Sequence, residues 1–162
     1  MTSESLRELV LMLATVTTGL IAGLYYAYAC SVMLGLRKVG DRVFIDVMQR
    51  INVAIQNGVF LIAFLGAALF AIAVIVLDLA AGRGLSVPVV AGCVLYVLSL
   101  VITFGINIPL NNRLDAAGEP SGIADPAAVR ASFEATWNRW NVMRALVSLA
   151  GFVCLCWALL VS

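Results

Sequence analysis

The residues of this chain that can do chemistry are few, and they gather at one end of its apolar segments. Asn107 and Asn111 stand four apart on either side of Pro109. A proline inside a helix has no N–H to give and would free the carbonyl of Gly105. Two amides beside freed carbonyls can hold a polar ligand or satisfy one another. Further along, helical periodicity puts Glu134, Trp137, Asn138 and Asn141 on one face, with Trp140 and Arg144 on the adjacent stripe. Arg144 requires a partner: Glu134, Asp46 or a ligand oxygen. Arg139, roughly opposite Asn141, reads as a headgroup anchor. Asn52 lies in a similar segment earlier in the chain, and Tyr25, Tyr26 and Tyr28 fall level with these groups in the first apolar run. Desolvated amides and an arginine are costly unless they find partners. Their convergence at one depth exceeds what packing requires.

Other chemistries are excluded by composition. There is no histidine, which removes Ser-His-Asp hydrolases, zincins, His-ligated haem and di-iron bundles built on Glu-x-x-His. No metal site and no cofactor are expected. A net charge of +1 argues against nucleic acid as a partner. Cys30, Cys93, Cys154 and Cys156 all lie in apolar runs and lack the spacing of a disulfide framework.

The elements that must position these residues are membrane helices. Apolar residues make up 63% of the 162, charged residues 12%, and mean hydropathy is +1.06. Four uncharged runs, residues 9–36, 51–77, 84–112 and 145–162, suit spans of about 20 residues. The fold class is therefore all-α: a single domain over residues 1–162 forming an integral membrane four-helix bundle. Spans are expected at about 9–35, 52–78, 85–108 and 141–161, with elbows at 36–51 and 112–140. Asp125-Pro126 reads as an N-cap followed by a first-turn proline. Ala27-Tyr28-Ala29 has the form of a signal cleavage site, but no soluble domain follows it, so the first run is expected to remain a span. Eight Lys and Arg residues lie in or near the elbows and two, Arg7 and Arg83, on the terminal side. The asymmetry places the elbows in the cytoplasm and both termini outside. None of the acids lies within a span; Asp78 sits only at a boundary.

The elbows resemble each other. Residues 44–53 align without gaps on residues 133–142, sharing Phe, Arg, Asn and Val, and Leu34-Gly35-Leu36-Arg37 matches Leu110-Asn111-Asn112-Arg113. This reads as two parallel copies of a span, elbow, amphipathic helix and span. The first span also carries a small residue every fourth position, Thr15, Gly19, Gly23, Ala27, Ser31 and Gly35. Such a stripe permits close helix approach within the chain, or between chains in a homo-oligomer.

With Gly23-Leu24-Tyr25-Tyr26, Met48-Gln49-Arg50-Ile51-Asn52, Asn107-Ile108-Pro109-Leu110-Asn111 and the run Trp137 to Arg144 in place, the chain resembles the anthrone oxygenase-like membrane proteins over nearly its whole length. A few fungal relatives of that kind are linked to oxidation of anthrones to anthraquinones, and most bacterial members have no assigned activity. The resemblance implies a bacterial inner-membrane protein whose partners are the lipid bilayer and a flat hydrophobic small molecule. It brings no settled catalytic residues. On the chain's own residues, Trp137, Trp140, Tyr25 and Tyr26 offer stacking faces. Asn52, Asn107, Asn111, Asn141 and Arg144 offer donors to a ligand oxygen or developing oxyanion, and Glu134 or Asp46 is the expected base. The competing readings are a lipid or small-molecule binding or transport module and an accessory membrane subunit.

Overall fold

The computed structural model describes residues 2–162. Four of its helices are long and apolar enough to cross a membrane: α1 (Ser3–Leu36), α3 (Gly58–Ala80), α4 (Val87–Ala116) and α5 (Pro126–Leu160). Between α1 and α3 lies α2 (Asp41–Ala54), which buries Phe44, Ile45, Met48 and Asn52 against the bundle. No strand occurs among the described residues. The chain is an all-α helical membrane protein.

The spans form a ring in which α1 packs on α3 and α5, and α4 packs on α5. The seam closing the ring, between α3 and α4, is the thinnest. Three apolar clusters stack along the bundle. Near the chain termini, Leu11, Val74, Val89 and Leu155 bring all four spans together. Ile21, Tyr25, Phe64, Ala67 and Tyr96 fill the middle. At the elbow end, Met33, Phe44, Met48, Leu114, Phe133 and Trp137 seal α2 onto α1, α4 and α5.

Two spans are interrupted but not ended. α1 passes through a π turn at Tyr28–Val32, and α4 through another at Thr103–Asn107. In α4 this is how the helix continues into Pro109: the Ile108 N–H reaches back to the Thr103 carbonyl, and the proline sits in the next turn where its missing N–H is tolerated. The other breaks follow local chemistry. Asn57 caps α3 through its side chain, accepting from the Phe60 N–H at 3.0 Å, so Asn52 belongs to α2 and the span begins at Gly58. Asp125 caps α5 by accepting from the Ala128 N–H at 3.0 Å, with Pro126 in the first turn. The amphipathic segment and fourth span are thus one helix of 35 residues, about 50 Å at 1.5 Å per residue.

Close approach of spans is concentrated where glycines meet. A side chain at Gly92 would collide with Leu155 at 2.8 Å, and one at Gly151 would press on the Gly92 carbonyl at 3.1 Å. The small-residue stripe of α1 divides. Thr15 is buried and Gly19 receives the Phe152 ring, whereas Gly23, Ala27, Ser31 and Gly35 are exposed.

The elbows hold each other reciprocally. Arg130 of α5 donates to the carbonyls of Leu36 and Val39 and to Asp41. Arg42 of α2 donates to the carbonyls of Pro120 and Ile123 in the second elbow. Carbonyls at helix and loop ends are satisfied without water.

At the other end, Arg7 and Asp78, expected as boundary charges, are buried against each other. Arg7 Nε lies 2.5 Å from Asp78 Oδ1, and the side chains are 9% and 3% exposed. Arg83 adds a longer contact at 3.9 Å. Removing one member leaves a buried charge uncompensated, at a cost of about 3–5 kcal/mol. Asp78→Ala should therefore markedly lower the unfolding midpoint in detergent, and the double change Arg7→Met with Asp78→Leu should recover most of it. A single variant as stable as the wild type would show that the pair is not holding α1 to α3.

Candidate functional site

Between the middle and elbow-end clusters lies a cavity of about 410 Å³. Its floor is α5, its sides are α1 and the α3–α4 seam, and α2 covers its elbow end. The walls are largely apolar and aromatic, with Leu24, Phe60, Phe64, Phe104 and Ile108 among them. Phe60 and Phe64 stack at 5.1 Å, and Phe64 meets Phe104 at 5.8 Å. Phe104, Leu61 and Leu65 also have exposed surface, so the wall along the thin seam is one side chain thick toward the lipid-facing side.

Arg144 is the one cation in this wall. It is 7% exposed and makes no ion pair among the described residues. Its Nε and Nη2 both donate to Asn141 Oδ1, at 3.1 and 3.0 Å, and Nη1 reaches Thr103 Oγ1 at 3.4 Å. The guanidinium also lies 4.0 Å from the Tyr25 ring centroid and 5.2 Å from that of Trp137. Aromatic faces attract a desolvated cation, but they accept no conventional hydrogen bond from its edge. Of the five N–H groups on an arginine, three are met by Asn141 and Thr103, and no carboxylate meets the others. The expected carboxylate partners are elsewhere. Glu134 is bound to Arg130 at 2.7 Å and Asp46 to Arg50 at 2.9 Å.

The groups around Arg144 are fixed in turn. Asn141, fully buried, donates through Nδ2 to the Tyr25 carbonyl at 3.1 Å. Thr103 donates to the Ser99 carbonyl at 2.8 Å, so its oxygen is left to accept from Arg144 and from the Tyr25 hydroxyl at 3.3 Å. Trp137 Nε1 donates to Asn111 Oδ1 at 2.7 Å, and Asn107 Nδ2 donates to the Trp137 carbonyl at 3.3 Å. Tyr25, Asn107, Asn111, Trp137, Asn141 and Arg144 are therefore one connected group drawn from α1, α4 and α5.

Within that group, Tyr25, Asn111, Trp137 and Arg144 line the cavity, whereas Asn107 and Asn141 stand behind its wall. Asn107 Oδ1 is buried without a partner. Asn52 lines the cavity from α2 and donates to Asp115 Oδ1 at 3.4 Å. Three residues from the sequence reading lie outside. Tyr26 is 63% exposed on the far side of α1. Trp140 is half-buried and does not line the cavity, and neither does Glu134. Sequence reasoning missed Thr103, Gln56 and Asp115 as lining residues. Thr103 and Asp115 stand four residues before Asn107 and four after Asn111, a spacing that carries them onto the same helix face.

Because Asn141 is both the acceptor for Arg144 and a bond to α1, Asn141→Ala should cost about 2–3 kcal/mol, as expected when a charged group loses its hydrogen-bond partner. Arg139→Lys, exposed on the other side of α5, should change stability by less than about 0.5 kcal/mol. Unfolding titrations in detergent would compare the two. Equal effects would mean that the Arg144 shell contributes no more than a surface charge.

The match to known families covers the part of this site contributed by α2 to α5. No curated protein matches the chain, and no solved structure does. A family model described as anthrone oxygenase matches residues 48–154, about two thirds of the length, taking in Asn52, the whole of α3 and α4, and α5 through Arg144. By that match the chain belongs to the anthrone oxygenase family.

Proposed function

We propose that the cavity binds a flat, apolar aryl ketone of the anthrone type and that the chain oxidises it with dioxygen to a quinone, without metal or organic cofactor. The observation that carries this reading is Arg144, a buried guanidinium in the cavity wall whose hydrogen-bond partners are all neutral, with no carboxylate partner and aromatic rings on its faces. An apolar ligand alone would leave that charge uncompensated, which is costly. A ketone oxygen that gains charge during reaction answers it and is stabilised most in the enolate.

The chemistry needs little else. An anthrone carries a methylene para to its carbonyl within the central ring. Loss of one methylene proton moves the C–H electron pair through the ring onto the ketone oxygen, and the enolate carbon can then bond to dioxygen. Loss of water from the resulting hydroperoxide leaves a second carbonyl, so methylene plus dioxygen becomes carbonyl plus water. Trp137, Tyr25 and Tyr28 supply ring faces, and Asn111 and Asn52 supply polar edges for peripheral oxygens. The exposed seam between α3 and α4 supports entry of such a substrate from the bilayer, where an apolar polycycle concentrates.

Two experiments test the reading. Purified protein in detergent should convert anthrone to anthraquinone in air, followed by absorbance. Arg144→Lys should reduce the rate about 100-fold or more, the scale for removing an oxyanion donor, because an ammonium does not reproduce the planar fork. Binding without any turnover would leave a small-molecule binding module instead.

The elbow end, by the Lys and Arg asymmetry, is placed in the cytoplasm on this proposal. Ser121→Cys in the second elbow should resist an impermeant thiol reagent applied to intact cells. Labelling from outside would reverse the orientation.

A further inference from the structure

Arg144 accounts for the charge that develops on the ketone, but not for the proton that must leave. Of the carboxylates considered from sequence, Glu134 is held between Arg130 at 2.7 Å and Arg37 at 3.8 Å and does not reach the cavity. Asp46 is held by Arg50 through both oxygens at 2.9 and 3.0 Å. Among the described residues, one carboxylate lines the cavity, that of Asp115.

Asp115 belongs to the last turn of α4 and has no ion-pair partner among the described residues. The Asn52 amide donates to its Oδ1 at 3.4 Å, which orients one oxygen and leaves the other available. The same side chain lines a second, open groove on the outer face of the elbows, with Gln49, Arg50 and Glu119. Asp115 therefore stands at the boundary between the aromatic cavity and solvent. A general base needs a path to the substrate proton, direct or through one water, and a route by which that proton leaves after transfer.

We infer that Asp115 is the catalytic base of this site, taking the methylene proton from an aryl ketone whose oxygen is held by Arg144. This rests on the oxygenase reading above and names the proton acceptor within it. In the step, the C–H bond breaks, its electron pair passes to the ketone oxygen against Arg144, and the proton passes through a water in the cavity to an Asp115 oxygen and on to solvent through the outer groove. The oxidant in the following step is dioxygen. Asn52 acts as a positioning residue for the carboxylate.

Proton abstraction can be observed without oxidation. Anthrone incubated anaerobically in D2O with the full chain in detergent should exchange its methylene protons faster than in buffer with detergent alone, followed by NMR. Asp115→Asn should lower both this exchange and aerobic turnover by about 100-fold or more, the lower end of what a positioned base supplies. Its affinity for anthraquinone, which has no methylene, should stay within a few fold of wild type. Asp115→Glu should retain part of the exchange, and acetate should restore some to Asp115→Ala. Wild-type exchange in Asp115→Asn would overturn the assignment while leaving the oxygenase reading in place. So would loss of anthraquinone binding in step with exchange, because Asp115 would then shape the mouth instead of accepting a proton. A wild-type chain that binds anthrone but neither exchanges nor oxidises it would overturn both.

Discussion

A guanidinium buried among membrane helices with no carboxylate beside it constrains everything around it. In an interior of low dielectric such a cation must be held by dipoles and ring faces, and each of those must itself be anchored. Asn141 meets the fork edge-on and is anchored to the Tyr25 carbonyl of α1. Thr103 meets another edge and is anchored to the Ser99 carbonyl of α4. Both anchors adjoin a π turn, Tyr28–Val32 in α1 and Thr103–Asn107 in α4. A π turn widens the helix and shifts its carbonyls from their usual partners. The groups that hold the cation are thus fixed to carbonyls one turn before each π turn, and the cavity lies where these three spans are held in register.

The position of the cavity follows from the unequal seams of the ring. Glycines at 92 and 151 let α4 and α5 approach until side chain meets backbone, and the α1–α3 and α1–α5 seams are long. The α3–α4 seam is closed near its middle by Tyr96 donating to the Phe64 carbonyl at 2.7 Å. Beyond that bond, toward the elbows, the two helices are separated by the phenylalanine rings that form the cavity wall. Phenyl side chains can turn aside without breaking a hydrogen bond, so this is the wall at which an apolar molecule meets least resistance.

The spans were legible because uncharged runs of this length have few other uses, and the cap at Asp125 because an acid before proline has a local meaning. The convergence of Asn107, Asn111, Trp137, Asn141 and Arg144 was legible as a shared depth. Their pairing was not, since which amide faces which donor depends on helix rotation that sequence leaves open. Pro109 suggested a broken helix; a π turn accommodates it instead, and nothing local in the sequence distinguishes these. The alignment of Leu34–Arg37 with Leu110–Arg113 sets Tyr28–Val32 opposite residues 104–108, one residue from the second π turn. Glu134 shares a helix with Arg144, which makes it the natural expectation for a base, yet a nearer arginine, Arg130, holds it. Asp115 looked like the start of a loop, while in the structure α4 runs on through Ala116 and carries it to the mouth of the cavity.

The two buried arginines show how the same side chain serves opposite ends of the molecule. Arg7 is matched by Asp78 at 2.5 Å, in a region where all four spans contribute to one closed apolar cluster. A matched pair has little left to offer a ligand, since its charge is neutralised and its geometry occupied. Arg144 is matched by neutral groups only, so its charge is uncancelled, and it faces the cavity. Replacing Asn141 by an acid would supply the missing charge and should make the elbow end more like the terminal end: more compact, and poorer at receiving an anion. That the chain carries an amide there, where a carboxylate would satisfy the cation more fully, supports a binding role for this arginine over a purely structural one.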